Sequence, residues 1–261
     1  MKKRIKTVIL LIVALLLVSM LAGFAGNSEK TIKTGIIGAV DMEVESLKRE
    51  VKKAKTIRIA GMEFCEGSLD GVDVVIVKCG MGKVNAGTCA QLLINVFGAK
   101  RIINTGVAGS LDASINIGDI VVSKDVVQHD FDLTPLGYAP GELDGIGSPF
   151  LPADANMRKT AVKAVRKCAP EVNVFEGRVC TGDQFISTTE QKNAIVAKFG
   201  GLCCEMEGGA IAQICHQNKI PFVIIRAISD KADGSAKMDY AKFEKDAAIR
   251  CAAITRYMIS H

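Results

Sequence analysis

The chain of 261 residues has no tryptophan, only three histidines and no Cys-x-x-Cys pair. His129, His216 and His261 stand in no metal-ligand spacing. That pattern argues against a zinc or iron–sulfur centre, and nothing in the sequence calls for a metal or an organic cofactor. Gly-Lys-Ser/Thr is missing too, and with it the phosphate loop of nucleotide hydrolases. An excess of one charge is nearly absent: the net charge is +5, and Lys2, Lys3, Arg4 and Lys6 supply most of it. The remainder is close to neutral and lacks the basic face that nucleic acid requires. Proline is sparse at six residues, and there is no internal repeat or dividing linker. What is present, 49% hydrophobic and 23% charged residues, suits a chain that buries a substantial core.

Only one long hydrophobic run exists, over 8–25, interrupted by Ser19 and Gly23. Basic residues precede it, a polar stretch follows it, and Gly23-Phe24-Ala25 places small residues where a signal peptidase cuts. The layout predicts that 1–25 is a secretory signal peptide or, at this borderline length, an uncleaved membrane anchor. Residues 26–33 form a polar spacer and 34–261 the folded domain. The protein is therefore expected to be exported or held at a membrane through residues 8–25. No cysteine directly follows the run, which argues against lipoprotein attachment. All nine cysteines fall after it, an odd number set mostly in apolar segments, so they read as small core residues rather than a disulfide framework. Such a composition resembles that of a cytosolic protein and sits awkwardly with export.

From residue 34 short apolar runs alternate with amphipathic stretches. Strands are predicted at 34–38, 63–69, 72–78, 101–105, 120–127, 174–181, 202–205 and 222–228. Asp70-Gly71 marks a hairpin between the second and third. Helices are predicted at 41–53, 86–96, 153–167, 188–198, 208–219 and 240–260. The last has Asp239 placed as its cap. The Gly/Pro-rich stretch 136–152 is the one long aperiodic segment. A single three-layer α/β/α domain with a central mixed, twisted sheet follows from this order.

Four segments put polar or Gly-rich sequence at the carboxyl ends of strands, where open α/β sheets bind ligands. They are Gly38-Ala-Val-Asp-Met-Glu43, Asn104-Thr-Gly-Val-Ala-Gly109, Cys204-Glu-Met-Glu-Gly208 and Arg226-Ala-Ile-Ser-Asp230. Singly, each has an ordinary reading: Glu43 as a first-turn helix residue, Asp230 as an N-cap, Gly106 and Gly109 as a turn. Together their acidic members meet at one edge of one sheet. Carboxylates beside Met206 and the aromatics Phe185 and Tyr240 describe a pocket for a neutral polyol with an apolar body, such as a ribose.

The same segments, with Gly35-Ile-Ile-Gly-Ala39, Gly80-Met-Gly-Lys83, Gly118-Asp-Ile-Val-Val-Ser123 and Thr181-Gly-Asp-Gln-Phe-Ile186, occur in the order found in one enzyme family. The chain resembles the 5′-methylthioadenosine/S-adenosylhomocysteine nucleosidases of the nucleoside phosphorylase superfamily, from about residue 34 to the end. The resemblance implies hydrolysis of the N-glycosidic bond of both nucleosides, releasing adenine and the 5-thio-ribose, in methionine salvage. It implies that Asp230, oriented by Ser229, protonates adenine and that Glu43 activates the attacking water, with Arg226 close to Glu43 and Glu207. Glu207 would bind the ribose hydroxyls, and Glu205 belongs to the same substrate-binding segment. Met206 would lie against the sugar, and Phe185 and Ile186 would hold the base. Val40, Met81 and Tyr240 would line the thioalkyl end. It also implies a homodimer in which a partner segment near His129 and Leu136-Gly-Tyr138 closes the pocket.

Three alternatives stay open at this point. A phosphate-dependent purine nucleoside phosphorylase would need cations where Asp41 and Glu43 stand. A membrane-held nucleoside-binding domain without catalysis would have no use for a water-activating carboxylate. Cleavage of aminodeoxyfutalosine would use the same site with a bulkier 5′ group. Val107 stands where many nucleosidases have Ser, which bears on fine specificity.

Overall fold

The computed structural model describes residues 32–261, so the leader expected at 1–25 and most of the 26–33 spacer lie outside the described residues. Strand β1 (Thr34–Gly38) is buried at all five positions because parallel neighbours flank it on both sides. Helix α1 (Asp41–Glu50) and three antiparallel-linked strands follow: β2 (Lys52–Ile59), β3 (Met62–Leu69) and β4 (Val72–Lys78). Then come α2 (Lys83–Asn95), β5 (Arg101–Ser110), β6 (Ile120–Gln128), a 3-10 turn at Thr134–Leu136 and β7 (Leu151–Pro152). The chain ends with α3 (Ala155–Cys168), β8 (Val174–Thr181), α4 (Thr189–Phe199), β9 (Cys203–Glu205), α5 (Gly208–Asn218), β10 (Phe222–Asp230) and α6 (Ala236–Ser260).

The strands form one mixed sheet whose alternate residues feed two cores. Ile37, Val75, Ile102 and Ile224 pack under α2 and α5. Their neighbours Ile103, Val223 and Ile225 pack under α3 and α6, while Ile36, Val74 and Ile76 meet α1 and the end of α6. This agrees with the layered α/β architecture expected. The sheet differs from an open one in a single respect: β10 pairs with both β5 and β6, and β6-β8-β9 returns to β5, so five strands close on themselves.

That closure positions the site. On one side β5 pairs with β1 as far as Asn104, and then with β9 at Gly109 and Ser110. Between those points β5 has β10 on its other side but no strand on this one, and the gap opens into a cavity. The expected strand 101–105 is therefore too short: β5 runs straight through Gly106 and Gly109. These glycines are strand residues, glycine because a side chain there would strike the site.

Two other expectations are corrected. Helix α1 stops at Glu50, and the residues up to 53 begin β2, a strand absent from the sequence reading. β2 lies at the sheet edge, exposed at all positions but Ile57 and Ile59, so its apolar alternation is confined to two residues and too short to reveal it. Helix α6 starts at Ala236 with Ser235 in the cap position, one turn before the expected 240. Asp239 lies in the first turn instead, accepting a 2.6 Å hydrogen bond from Ser235 Oγ. All nine cysteines are free and all but Cys168 are buried. Among the described residues no helix is long and apolar enough to cross a membrane.

Candidate active site

Glu43 stands in the first turn of α1, where N–H groups are unsatisfied. Its carboxylate accepts from the N–H of Ala39 at 2.5 Å and of Val40 at 3.1 Å. It also takes the N–H of Val107 at 3.1 Å, a donor on the unpaired stretch of β5. Gly106 lets this happen, since a Cβ there would collide with Arg226 Nη1 and Glu43 Oε1.

Arg226, within β10, is only 1% exposed and is surrounded by acceptors. Its Nη2 donates to Asn104 Oδ1 at 2.6 Å, forms an ion pair with Glu205 and reaches Glu207 at 3.5 Å. Asn104 is fixed in turn by donating to Ile37 O at 3.0 Å. Glu205 closes the centre of this network: it also accepts from Thr181 Oγ1 and from the N–H groups of Glu207, at 3.1 Å, and Gly208, at 2.7 Å. Both its oxygens are thus occupied within the protein. Glu207 is held by the N–H of Gly82 at 2.9 Å, donated from the positive-φ glycine that opens α2.

Asp230 ends β10 on the other side of the cavity. It accepts from Ser229 Oγ and from the N–H of Ala232, both at 2.9 Å. Gly109 leaves room for it, because a Cβ there would come 2.7 Å from Asp230 Oδ1.

Burial dominates the electrostatics. It raises the carboxyl of Glu43 above its ordinary value against the opposing pull of Arg226 and three backbone N–H groups. It raises Glu207 to about 7, with Glu205 adding to the effect and Arg226 opposing it. Asp230 is raised for the same cause, opposed by its bonds to Ala232 and Ser229. The carboxylates in turn hold Arg226 firmly protonated despite its burial. Groups so displaced in one cleft mark a functional site more often than a structural one.

The cavity between them is about 230 Å³ and is lined by Val40, Glu43, Met81, Val107, Phe185, Glu205, Met206, Glu207, Arg226, Ser229, Asp230 and Tyr240, among others. A contiguous recess reaches past Asp230 to Phe185 and Ile186. Phe185 and Tyr240 meet edge to face at 5.8 Å over the mouth. Every site residue singled out in the sequence thus comes to this cavity or its recess except His129. That imidazole lies beside a separate cavity with Asp130, Gln191 and Lys198. Sequence reasoning assigned no role to Asn104 or Thr181, the two neutral residues that orient Arg226 and Glu205. Asn104 carried the better signal, a polar residue at the end of an apolar strand.

Residues 33–260 match the Phosphorylase superfamily. A curated relative from Shewanella denitrificans, a 5′-methylthioadenosine/S-adenosylhomocysteine nucleosidase, is 44% identical over 81% of this chain and 92% of its own length. The structure of the nucleosidase of that name from Neisseria meningitidis, in complex with methylthio-immucillin-A, superposes with a TM-score of 0.85 at 34% identity, covering 88% of this chain and 99% of the other. The Colwellia psychrerythraea nucleosidase bound to adenine gives 0.84 at 38% identity over 88% and 95% of the two chains. The chain therefore belongs to the phosphorylase superfamily and, within it, to the 5′-methylthioadenosine/S-adenosylhomocysteine nucleosidases.

Proposed function

We infer that the protein is an N-glycosyl hydrolase that splits 5′-methylthioadenosine and S-adenosylhomocysteine into adenine and the 5-thio-ribose, a reaction of methionine salvage. The observation that carries hydrolysis over phosphorolysis is the charge of the lining: Glu43, Glu205, Glu207 and Asp230 surround one cation, Arg226, which the carboxylates already engage. A phosphate dianion would meet net repulsion there, whereas water needs only an acceptor.

Cleavage of an N-glycosidic bond builds positive charge on the sugar and negative charge on the leaving base. Asp230 answers the second. Burial pushes its carboxyl upward, which favours the protonated form that donates to adenine N7, and Ser229 and the Ala232 N–H fix its orientation. Glu43 answers the first: its fixed carboxylate takes a proton from the attacking water and stabilises the cationic sugar. Glu207 receives the ribose hydroxyls while Met206 packs against the ring. Phe185 and Ile186 hold the base in the recess, and Val40, Met81 and Tyr240 take the 5′ thioalkyl group. Arg226 and Glu205 keep the two working glutamates apart and aligned.

A homodimer completes this reading, with the loop of Leu136 as the closing segment. Leu136, Met81 and Val84 are all large apolar residues left exposed on the single chain. Residues 8–25 export the domain or hold it at the membrane. Sedimentation of the purified protein tests the dimer, and cell fractionation with sequencing of the mature N-terminus tests the leader. Adenine release from methylthioadenosine with and without phosphate tests the reaction itself. Equal rates are expected, and strict dependence on phosphate would overturn hydrolysis.

A further inference from the structure

The edge of the sheet opposite the active site has a chemistry of its own. β1, β4, β5 and β10 are parallel, and β2 runs in the same direction as β4 because two antiparallel pairings separate them. Their amino ends fall in one row by register, from Phe222 beside Ile102, through Thr34 beside Arg101 and Val74, to Ser68 beside Lys52. Six strands, or five inter-strand spacings, make this row roughly 24 Å long.

Lysines stand along it. Lys219 precedes β10, Lys100 precedes β5, and Lys52, Lys53 and Lys55 open β2. All five are exposed, and none makes a salt bridge among the described residues. Of the acids nearby, Glu66 is paired with Lys33, and Glu50 and Asp70 with Arg256, while Asp73 and Asp154, the latter capping α3, make no ion pair among the described residues. Two large apolar residues, Ile32 and Val96, are exposed on the same edge. Edge strands do carry lysine to block pairing with other sheets. That accounts for β2 but not for Lys100 and Lys219, which flank interior strands.

The chain also enters the domain here. Ile32 leads directly into β1, and upstream of it lie the apolar run 8–25 and its basic flank. We propose that this amino edge is a docking surface for an anionic lipid bilayer, with the substrate pocket facing away from the membrane. The proposal rests on residues 8–25 entering a bilayer. It adds which face of the enzyme meets the lipid and which lipid charge it selects. A six-residue polar approach, 26–31, keeps the domain close enough for the lysines to reach the headgroups. Each lysine at an anionic surface strengthens association on the order of fivefold, so five act cooperatively, and salt weakens them. Exposed Ile32 and Val96 then settle at the boundary between headgroup and acyl chain.

The test uses the full chain reconstituted with vesicles of phosphatidylcholine alone or of phosphatidylcholine with an equal part of phosphatidylglycerol. Flotation reports entry of the leader, and amine labelling read by mass spectrometry reports the face. Lys52, Lys53, Lys55, Lys100 and Lys219 should be protected several-fold on phosphatidylglycerol vesicles at low salt and lose that protection at high salt. Lys237, Lys242 and Lys245, on the helix that borders the pocket, should label equally throughout. The combined Lys52→Glu, Lys53→Glu, Lys55→Glu and Lys100→Glu variant should lose the protection and keep the adenine-releasing rate. Flotation with all lysines labelled alike, or with Lys237, Lys242 and Lys245 protected instead, would overturn the docking face and leave the anchor standing. Failure to float would overturn both. None of these outcomes touches the nucleosidase assignment, which adenine release reports separately.

Discussion

The two edges of this sheet handle charge in opposite ways. At the carboxyl edge Glu43, Glu205, Glu207, Asp230 and Arg226 are nearly all removed from water, and each is held by hydrogen bonds or an ion pair. At the amino edge Lys52, Lys53, Lys55, Lys100 and Lys219 are exposed to solvent and have no ion-pair partner among the described residues, Lys33 alone being paired, with Glu66. Burial makes the first set costly, mutually dependent and chemically active. Exposure makes the second set inexpensive, independent and useful only toward a large charged partner. Substitutions should therefore be severe at one edge and mild at the other.

The largest effect is expected from Asp230→Asn, which cannot protonate the leaving base. Turnover should fall on the order of 10³-fold, while calorimetry still detects adenine binding. A near-normal rate would remove Asp230 from the chemistry. Next comes Arg226→Met, which leaves Glu205 and Glu207 buried without their cation. Urea unfolding should show a loss of about 3–5 kcal/mol. A loss below about 1 kcal/mol would mean that the guanidinium contributes no more than an exposed ion pair does.

Gly106→Ala should be smaller but informative, since its methyl group meets Arg226 and Glu43. About 1–3 kcal/mol of stability should go, with kcat reduced more than KM, because the displaced carboxylate acts on the transition state. An unaltered kcat would show that the gap beside β5 takes a methyl group without moving Glu43 or Arg226.

A fourth expectation concerns pH. Burial raises Glu207 to about 7 from an ordinary 4.5 and raises Glu43 and Asp230 in the same direction. The folded protein thus binds these protons more tightly than the unfolded chain does. The contribution of Glu207 to stability is full below its ordinary value and is lost as pH rises through about 7, and Glu43 and Asp230 act in the same direction. Melting temperature should decline from about pH 5 to about pH 8, and Glu207→Gln should flatten that slope. An unchanged slope would place the titration elsewhere. The smallest effect belongs to the other edge: Lys52→Gln and Lys100→Gln should each change stability by less than about 0.5 kcal/mol and leave adenine release in solution unaltered.

How much of this was readable beforehand differs from element to element. β1, β4 and the β3–β4 hairpin are plain in the sequence because continuous apolar runs and Asp70-Gly71 are local signals. Glu43, Glu207 and Asp230 are readable as a group because each follows or ends such a run. β2 was hidden, since only Ile57 and Ile59 at its end turn toward the core and its lysine-rich first half has no apolar alternation. Glu205 was grouped with the substrate-binding residues because of its neighbours Met206 and Glu207, whereas its oxygens bond to Thr181, Arg226 and two backbone N–H groups. No spacing along the chain encodes that, because the side-chain partners come from two other strands, β8 and β10, and the N–H groups from a helix start.

Local composition and order thus determined the class of fold, the acidic character of the site and the neutral, sugar-like ligand it suits, because these depend on which residues end each strand. Only the tertiary structure decided where β5 loses its neighbour, and hence which N–H is free for Glu43 and why residue 106 must be glycine. It alone brought the lysines that open β2 and those that precede β5 and β10 into one row at the far edge. Strand register and the closure of five strands are long-range pairings, fixed when the whole sheet assembles.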